Sequence, residues 1–346
     1  MSDQEILFER QGTLGLITLN RPRALNALTH GMCVSMKKAL DEWSRDPTVT
    51  AVAVRGAGER AFCAGGDIRS LYESGRAGTS YARAFYRDEY RLDATIKHFP
   101  KPYIALIQGI VMGGGVGISV HGTFRIADET TTFAMPETGI GLFPDVGGSY
   151  FLPRCVGEVG MYLALTGARL GLADSLYAGV ATHFVPAVRH AELLERIARG
   201  ATPAEVLATL SMTPADAGNL PELRTSIDRC FSCGSVETIL EALGQERAWG
   251  SDVTASMGAK SPTSTKLAFH QLRQGRTLGF DDCMRMEFRM VDRVIDGHDF
   301  YEGVRATIID KDNAPKWRPD TLSAVREDEI ADYFAPLADE LDLTGT

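Results

Sequence analysis

Phe62-Cys-Ala-Gly-Gly-Asp67 and Tyr103-Ile-Ala-Leu-Ile-Gln-Gly-Ile-Val-Met-Gly-Gly-Gly-Val-Gly117 decide how this chain folds. Each stretch reaches glycines after a short apolar run, Val52 to Val54 for the first and Ile104 to Ile110 for the second. Runs this short and rich in β-branched residues predict buried strands. A strand that ends in glycines and opens a helix leaves main-chain N–H groups free at the helix N-terminus. Those groups and the helix dipole favour an anionic oxygen, and glycine lets a ligand approach without meeting a Cβ. Two such amides converging on one carbonyl would form an oxyanion hole, where losing one donor costs about 3–4 kcal/mol. On spacing alone each turn also reads as a tight connection for packing a helix on a sheet, and that choice stays open.

Outward from these turns, strands alternate with helices. Ile6 to Glu9 and Leu14 to Leu19 read as a hairpin around Gln11-Gly12. Thr29 can cap a helix with apolar residues at Met32, Met36, Leu40 and Trp43, which Asp46-Pro47 closes. Val49 to Val54 predicts a buried strand, and Ser70 to His98 a polar arm that is helical from Ser80 onward. Tyr103 to Ile107, Phe124 to Ala127 and Thr131 to Ala134 are further strands. Alternation of this kind argues for an α/β core. After about Ala187 strand signals fade. Leu193 to Ala198, Ala204 to Leu210, Val236 to Trp249, Ser264 to Gln274 and Phe280 to Ile295 all look helical. The expected organisation is a core over residues 1–200 and a mostly helical region over 201–346.

Composition narrows the function. A chain of 346 residues exceeds the size at which one core stops growing. Its net charge of −9 does not suit a nucleic-acid binder, which needs cations to displace counterions from phosphates. Tyr103 to Val120, the longest apolar stretch, contains Gln108 and five glycines, a poor membrane span. The N-terminus is acidic and no apolar run follows it, so the expected location is cytoplasmic. The six cysteines are scattered, which argues against a disulfide scaffold. Cys230-Phe-Ser-Cys233 has no partner pair for zinc, and the seven histidines lack ligand spacing, so no metal site is expected. There is no Gly-Lys dipeptide, hence no Walker A loop, and no H-E-x-x-H. Gly117-Ile-Ser-Val-His121 falls one residue short of a nucleophile elbow, and Gly113 to Gly117 lacks the last glycine of a dinucleotide fingerprint.

Met135-Pro-Glu-Thr-Gly-Ile-Gly-Leu-Phe-Pro-Asp-Val-Gly-Gly148 places Glu137 and Asp145 eight residues apart among apolar and glycine neighbours. Desolvation there would raise both acids toward the range useful for proton transfer. Asp145 also reads as the cap of a helix starting near Gly147.

These segments, with Lys101 to Gly109 between them, resemble the crotonase (enoyl-CoA hydratase/isomerase) superfamily. Ala61 to Arg69, Phe133 to Thr138, Gly141 to Gly148 and Tyr150 to Pro153 resemble, within it, the 3-hydroxyisobutyryl-CoA hydrolases. So do Leu165-Thr-Gly167, Ala181-Thr-His183, Asp299 to Ala306, Ile309 to Asp312 and Pro315-Lys-Trp317. The resemblance spans about residues 5 to 325. It implies a crotonase-like ββα spiral core with a mostly helical C-terminal part. It further implies that the N–H groups of Gly66 and Gly114 form the oxyanion hole and that Glu137 is the principal catalytic carboxylate. Asp145 would hold the substrate hydroxyl or assist proton transfer. Glu89 would contact substrate, although beside Arg87 and Arg91 it otherwise reads as a solvated helix face. Lys311 and Arg305 are candidates for coenzyme A phosphates.

Hydratases of this superfamily use two glutamates, the second lying three residues after the middle glycine of the second turn. Here that position is Gly117, and Asp145 appears instead. The implied reaction is therefore hydrolysis of a 3-hydroxyacyl-CoA, 3-hydroxyisobutyryl-CoA or a relative such as 3-hydroxypropionyl-CoA, in valine breakdown. No cofactor is implied, since coenzyme A belongs to the substrate. The rival readings are an enoyl-CoA hydratase or isomerase that has moved its second acid to Asp145, and a silent acyl-CoA-binding protein. Relatives form trimers or pairs of trimers, which leaves a homo-oligomer open.

Overall fold

Residues 4–346 are described by the computed structural model of the chain. The hairpin forms as expected: β1 (Ile6–Gln11) and β2 (Leu14–Leu19) are antiparallel around Gly12 at φ +58°. Helix α1 (His30–Arg45) starts where the Thr29 hydroxyl accepts the Met32 N–H. It buries Met32, Met36 and Leu40, each worth about 1.5–3 kcal/mol of transfer from water.

From there one unit repeats three times: a strand in a large sheet, a short strand in a small sheet, then helix. The first turn is β3 (Ala51–Gly56), β4 (Ala61–Cys63), α2 (Ile68–Arg76) and α3 (Tyr81–Lys97). The second is β5 (Tyr103–Leu106), β6 (Ile110–Met112) and α4 (Gly114–Val120). The third is β7 (Phe124–Ala127), β8 (Thr132–Ala134), a 3₁₀ turn Glu137–Ile140 and the single-turn α5 (Gly148–Phe151). With β9 (His183–Phe184), the large sheet runs β1-β2-β3-β5-β7-β9 and the small one β4-β6-β8. All pairs after the opening hairpin are parallel. This is the ββα spiral.

Two details differ from the sequence reading for one reason. The run Ile104 to Ile110 is not one strand, because Gly109 at φ +61° turns the chain from the large sheet into the small one. A side chain at Gly109 would run into the main chain of Arg60. Likewise the first glycine turn follows β4, not Val52 to Val54 directly. The polar arm is two helices, α2 and α3, and α3 is not solvated: Glu89 and Asp93 lie inside.

Strands do cease after β9. Helices His190–Ala198, Pro203–Leu210, Pro262–Gly275 and Phe280–Val294 lie close to where helical spacing placed them. The expected helix Val236 to Trp249 is two, Val236–Leu243 and Ala248–Gly258, with the break beginning at Gly244. Leu220–Phe231 and Glu327–Phe334 were not anticipated. Phe280–Val294 packs on α3 and α5, and one apolar cluster continues from Ile17 to Leu343.

Candidate active site

The two glycine turns meet. At the first, Leu28 N–H donates to Gly65 O and Asp67 N–H to Leu28 O, both at 2.8 Å. This bridge turns the Gly66 N–H the other way, and Gly65 at φ +113° needs to be glycine. At the second, Gly113 at φ +49° ends β6 and Gly114 begins α4. Among the described residues neither the Gly66 nor the Gly114 amide has an acceptor. A Cβ on Gly114 would sit 3.4 Å from Gly66 N and would collide with Glu89 Oε1. A Cβ on Gly113 would lie 3.3 Å from Glu137 Oε1. Two free amides and two carboxyls therefore share one small space.

That space is a cleft of about 80 Å³, and Gly66, Glu89, Gly114, Glu137 and Asp145 all line it. Leu71, Phe85, Tyr86, Met112 and Leu142 give it apolar walls. All five sequence-derived residues are thus brought together.

The acids are buried, each at most 4% exposed. Among the described residues Glu89 Oε1 and Glu137 Oε2 have no hydrogen-bond partner. Burial pushes Glu89 well above the ordinary carboxylate range, and the charges of Asp145 and Glu137 add to it. Burial and then Asp145 raise Glu137 in the same way, while its own amide and Lys260 oppose. Asp145 is pushed up to about 7 by burial, held back by a 2.9 Å hydrogen bond from the Tyr90 hydroxyl. The helix-cap reading of Asp145 is corrected here. Its side chain faces Tyr90; the Gly147 and Ser149 amides are taken by Glu287, and the Gly148 amide by the Asp145 main-chain carbonyl. The solvated-face reading of Glu89 fails equally.

Sequence reasoning missed four groups. Tyr86, Tyr90 and Asp93 share the inward face of α3 with Glu89. Their spacing of three and four residues is a helical stripe that polar identity disguised. Both Asp93 oxygens are buried and, among the described residues, unpartnered, and burial and then Glu89 raise its pKa well. Lys260, half-buried, reaches over the Glu137–Ile140 turn. Its Nζ is 3.4 Å from where a side chain on Gly139 would begin. Arg305 is not free for a phosphate: it binds Glu302, Asp310 and Asp312 at 2.7–2.8 Å. Lys311 is exposed. Cys230 and Cys233 are free thiols, and among the described residues no cluster suits a metal ion.

The family model for enoyl-CoA hydratase/isomerase matches residues 14–334. The chain belongs to that family. Among its relatives are proteins named 3-hydroxyisobutyryl-CoA hydrolase, mitochondrial. That of Danio rerio is 48% identical, covering 98% of this chain and 91% of that one. That of Homo sapiens is 45% identical, with 96% and 89% covered. The solved structure of a carnitinyl-CoA dehydratase from Mycobacterium thermoresistibile matches with TM-score 0.95 and 40% identity over 99% of this chain and all (100%) of that one. An enoyl-CoA hydratase from Rhodobacter sphaeroides 2.4.1 matches with TM-score 0.90 and 39% identity, over 96% and 98%. The spiral is therefore the crotonase fold. The relatives' mitochondrial designation lends no support to a cytoplasmic location, and among the described residues no helix is long and apolar enough to cross a membrane.

Within this enoyl-CoA hydratase/isomerase frame, position 117 is informative. A side chain there would begin 2.8 Å from Asp93 Oδ1 and 2.7 Å from Val146 Cβ. Gly117 leaves no room for a second glutamate, because an acid from α3 occupies its space.

Proposed function

We propose that the chain hydrolyses a short 3-hydroxyacyl-CoA thioester, 3-hydroxyisobutyryl-CoA above all, giving 3-hydroxyisobutyrate and coenzyme A in valine breakdown. The observation that carries this reading is the meeting of the free Gly66 and Gly114 amides beside Glu137 and Asp145, with position 117 closed to a second glutamate. The similarity to named 3-hydroxyisobutyryl-CoA hydrolases over nearly the whole chain supports it.

In this mechanism the thioester oxygen enters between the two amides. Water, activated by Glu137, attacks the carbonyl carbon, or Glu137 attacks first and water then cleaves the anhydride. Both routes pass through a tetrahedral oxyanion held by the two N–H groups. The C–S bond breaks, and the thiolate takes up a proton from the acid cluster. Asp145 holds the substrate hydroxyl, and Glu89 contacts the acyl group. The thiolate is a good leaving group, so no step needs a metal or a bound cofactor. The spiral core of residues 1–200 carries the chemistry, with the helices of 201–346 behind it. Lys311 is the proposed phosphate contact. A homo-oligomer, trimeric or hexameric, and a cytoplasmic location complete the reading.

The second reading is hydration of an enoyl-CoA, favoured by the hydratase and dehydratase names of the two structural neighbours. A thiol reagent follows release of coenzyme A from 3-hydroxyisobutyryl-CoA, and enoyl absorbance follows crotonyl-CoA. Thiol release with little loss of enoyl absorbance is expected. Fast enoyl consumption without thiol release overturns the proposal.

A further inference from the structure

The stretch after Asp145 is held against its own conformational preference. Val146 has φ +50°, a left-handed conformation that a β-branched residue disfavours, and Gly147 follows at φ +84°. Such a turn persists only where its surroundings over-determine it. Gln271 Nε2 donates to Pro144 O at 2.5 Å, and His121 Nε2 to Val146 O at 2.7 Å. The Gly147 N–H donates to Glu287 Oε2 at 2.7 Å and the Ser149 N–H to Glu287 Oε1 at 2.8 Å, joined by the Ser149 hydroxyl. Helix α5 has no side-chain cap of its own, since its N-cap is Gly147. Glu287, delivered from Phe280–Val294, is fully buried, and every partner it has among the described residues lies on this turn.

We infer that Glu287 is a positioning residue for the thioester reaction: by gripping the amides of Gly147 and Ser149 it fixes the strained turn at Val146, and with it the direction in which Asp145 presents its carboxyl to the cleft. An acid taken out of water without a cation is costly, and its satisfaction by one turn alone ties its presence to that turn. Tyr90 restrains the far end of the same Asp145 carboxyl. Glu287 lies outside the cleft lining, so it acts through Asp145 and not on substrate. The inference rests on the role proposed for Asp145.

A double-variant cycle on the whole chain, read by thiol release from 3-hydroxyisobutyryl-CoA, separates the two claims. Gln at 287 keeps the volume and one acceptor but turns an NH₂ toward the other amide. Glu287→Gln is expected to lower kcat about 10- to 100-fold with KM within about twofold, as for a reacting group displaced by a fraction of an ångström. Added to Asp145→Asn, it should cost nothing more. Parental kcat in Glu287→Gln, or losses that multiply in the double variant, overturns the inference alone. Parental kcat in Asp145→Asn overturns the role of Asp145 and the inference with it. Where Glu287→Gln does not fold, Ser149→Ala, which removes only the hydroxyl donor, is combined with Asp145→Asn and judged by the same criterion.

Discussion

The cleft has two halves made by different means. One half is main chain: the Gly66 and Gly114 amides, each fixed by a strand, a positive-φ glycine and a helix start within a few residues. The other half is side chain: Glu89 from α3, Glu137 from the turn after β8, and Asp145 beyond it, with Asp93 beneath. The amide half carries no titratable group and its geometry is local. The acid half has several carboxyls and, among the described residues, one nearby cation, Lys260, and its behaviour depends on what each acid does to the others. A developing negative charge is best met by fixed dipoles that need no proton, whereas moving a proton requires acids tuned away from their ordinary range.

The sharpest way to break this comparison is to remove the acid that does the chemistry. Glu137→Gln should lower kcat for thiol release by about 10³-fold with KM little changed. Parental turnover would end the role assigned to Glu137. On the amide side, Gly114→Ala puts a methyl against Glu89 Oε1 and 3.4 Å from Gly66 N. It should cost about 10²-fold in kcat. Because amides do not titrate, that loss should be the same at pH 6 and pH 8. A loss that varies strongly with pH would show that the methyl acts through Glu89, and the division into halves would not hold.

The halves were not equally legible in the sequence. Glycine after a β-branched run is a local signal, so both turns could be read, while the handover from the large sheet to the small one was missed at both, between β3 and β4 and at Gly109. Glu137 and Asp145 stood out among apolar and glycine neighbours. Glu89, Asp93, Tyr86 and Tyr90 did not, because α3 also carries Arg83, Arg87 and Arg91 and looks like a solvated arm. Those arginines pair with Asp292, Asp296 and Asp339 or reach carbonyls near the C-terminus. The helix is covered by residues more than 200 positions away, which no local spacing reveals. Lys260, from the bend between helices Ala248–Gly258 and Pro262–Gly275, was missed for the same reason.

Lys260 tests how far the acid half depends on a nearby cation. Its charge lowers the Glu137 pKa, against burial and Asp145, which raise it. Removing it should raise that pKa, so that at a given pH less Glu137 is ionised. Lys260→Met should therefore shift the rising limb of the pH–rate profile upward and lower the rate at pH 7 about three- to tenfold, recovering at higher pH. An unshifted limb with a uniformly reduced rate would make Lys260 a packing residue only.

The smallest effect concerns stability. A carboxyl whose folded pKa is raised binds its proton more tightly folded than unfolded, so its contribution is complete below the ordinary carboxylate pKa and is lost as pH rises through the folded value. For Asp145 that window runs from about 4 to about 7. Glu89, Asp93 and Glu137 extend it in the same direction. The melting temperature should then fall as pH rises from 5 to 9. Asp93 lies outside the cleft lining and has no partner to lose among the described residues, so Asp93→Asn removes one contributor and keeps its shape. At pH 4 parent and variant should melt within about a degree, and at pH 8.5 the variant should melt roughly 3 °C higher. Parallel melting curves across this range would mean that Asp93 keeps an ordinary pKa through a partner such as an internal water. The acid half would then be less tightly coupled than its burial implies.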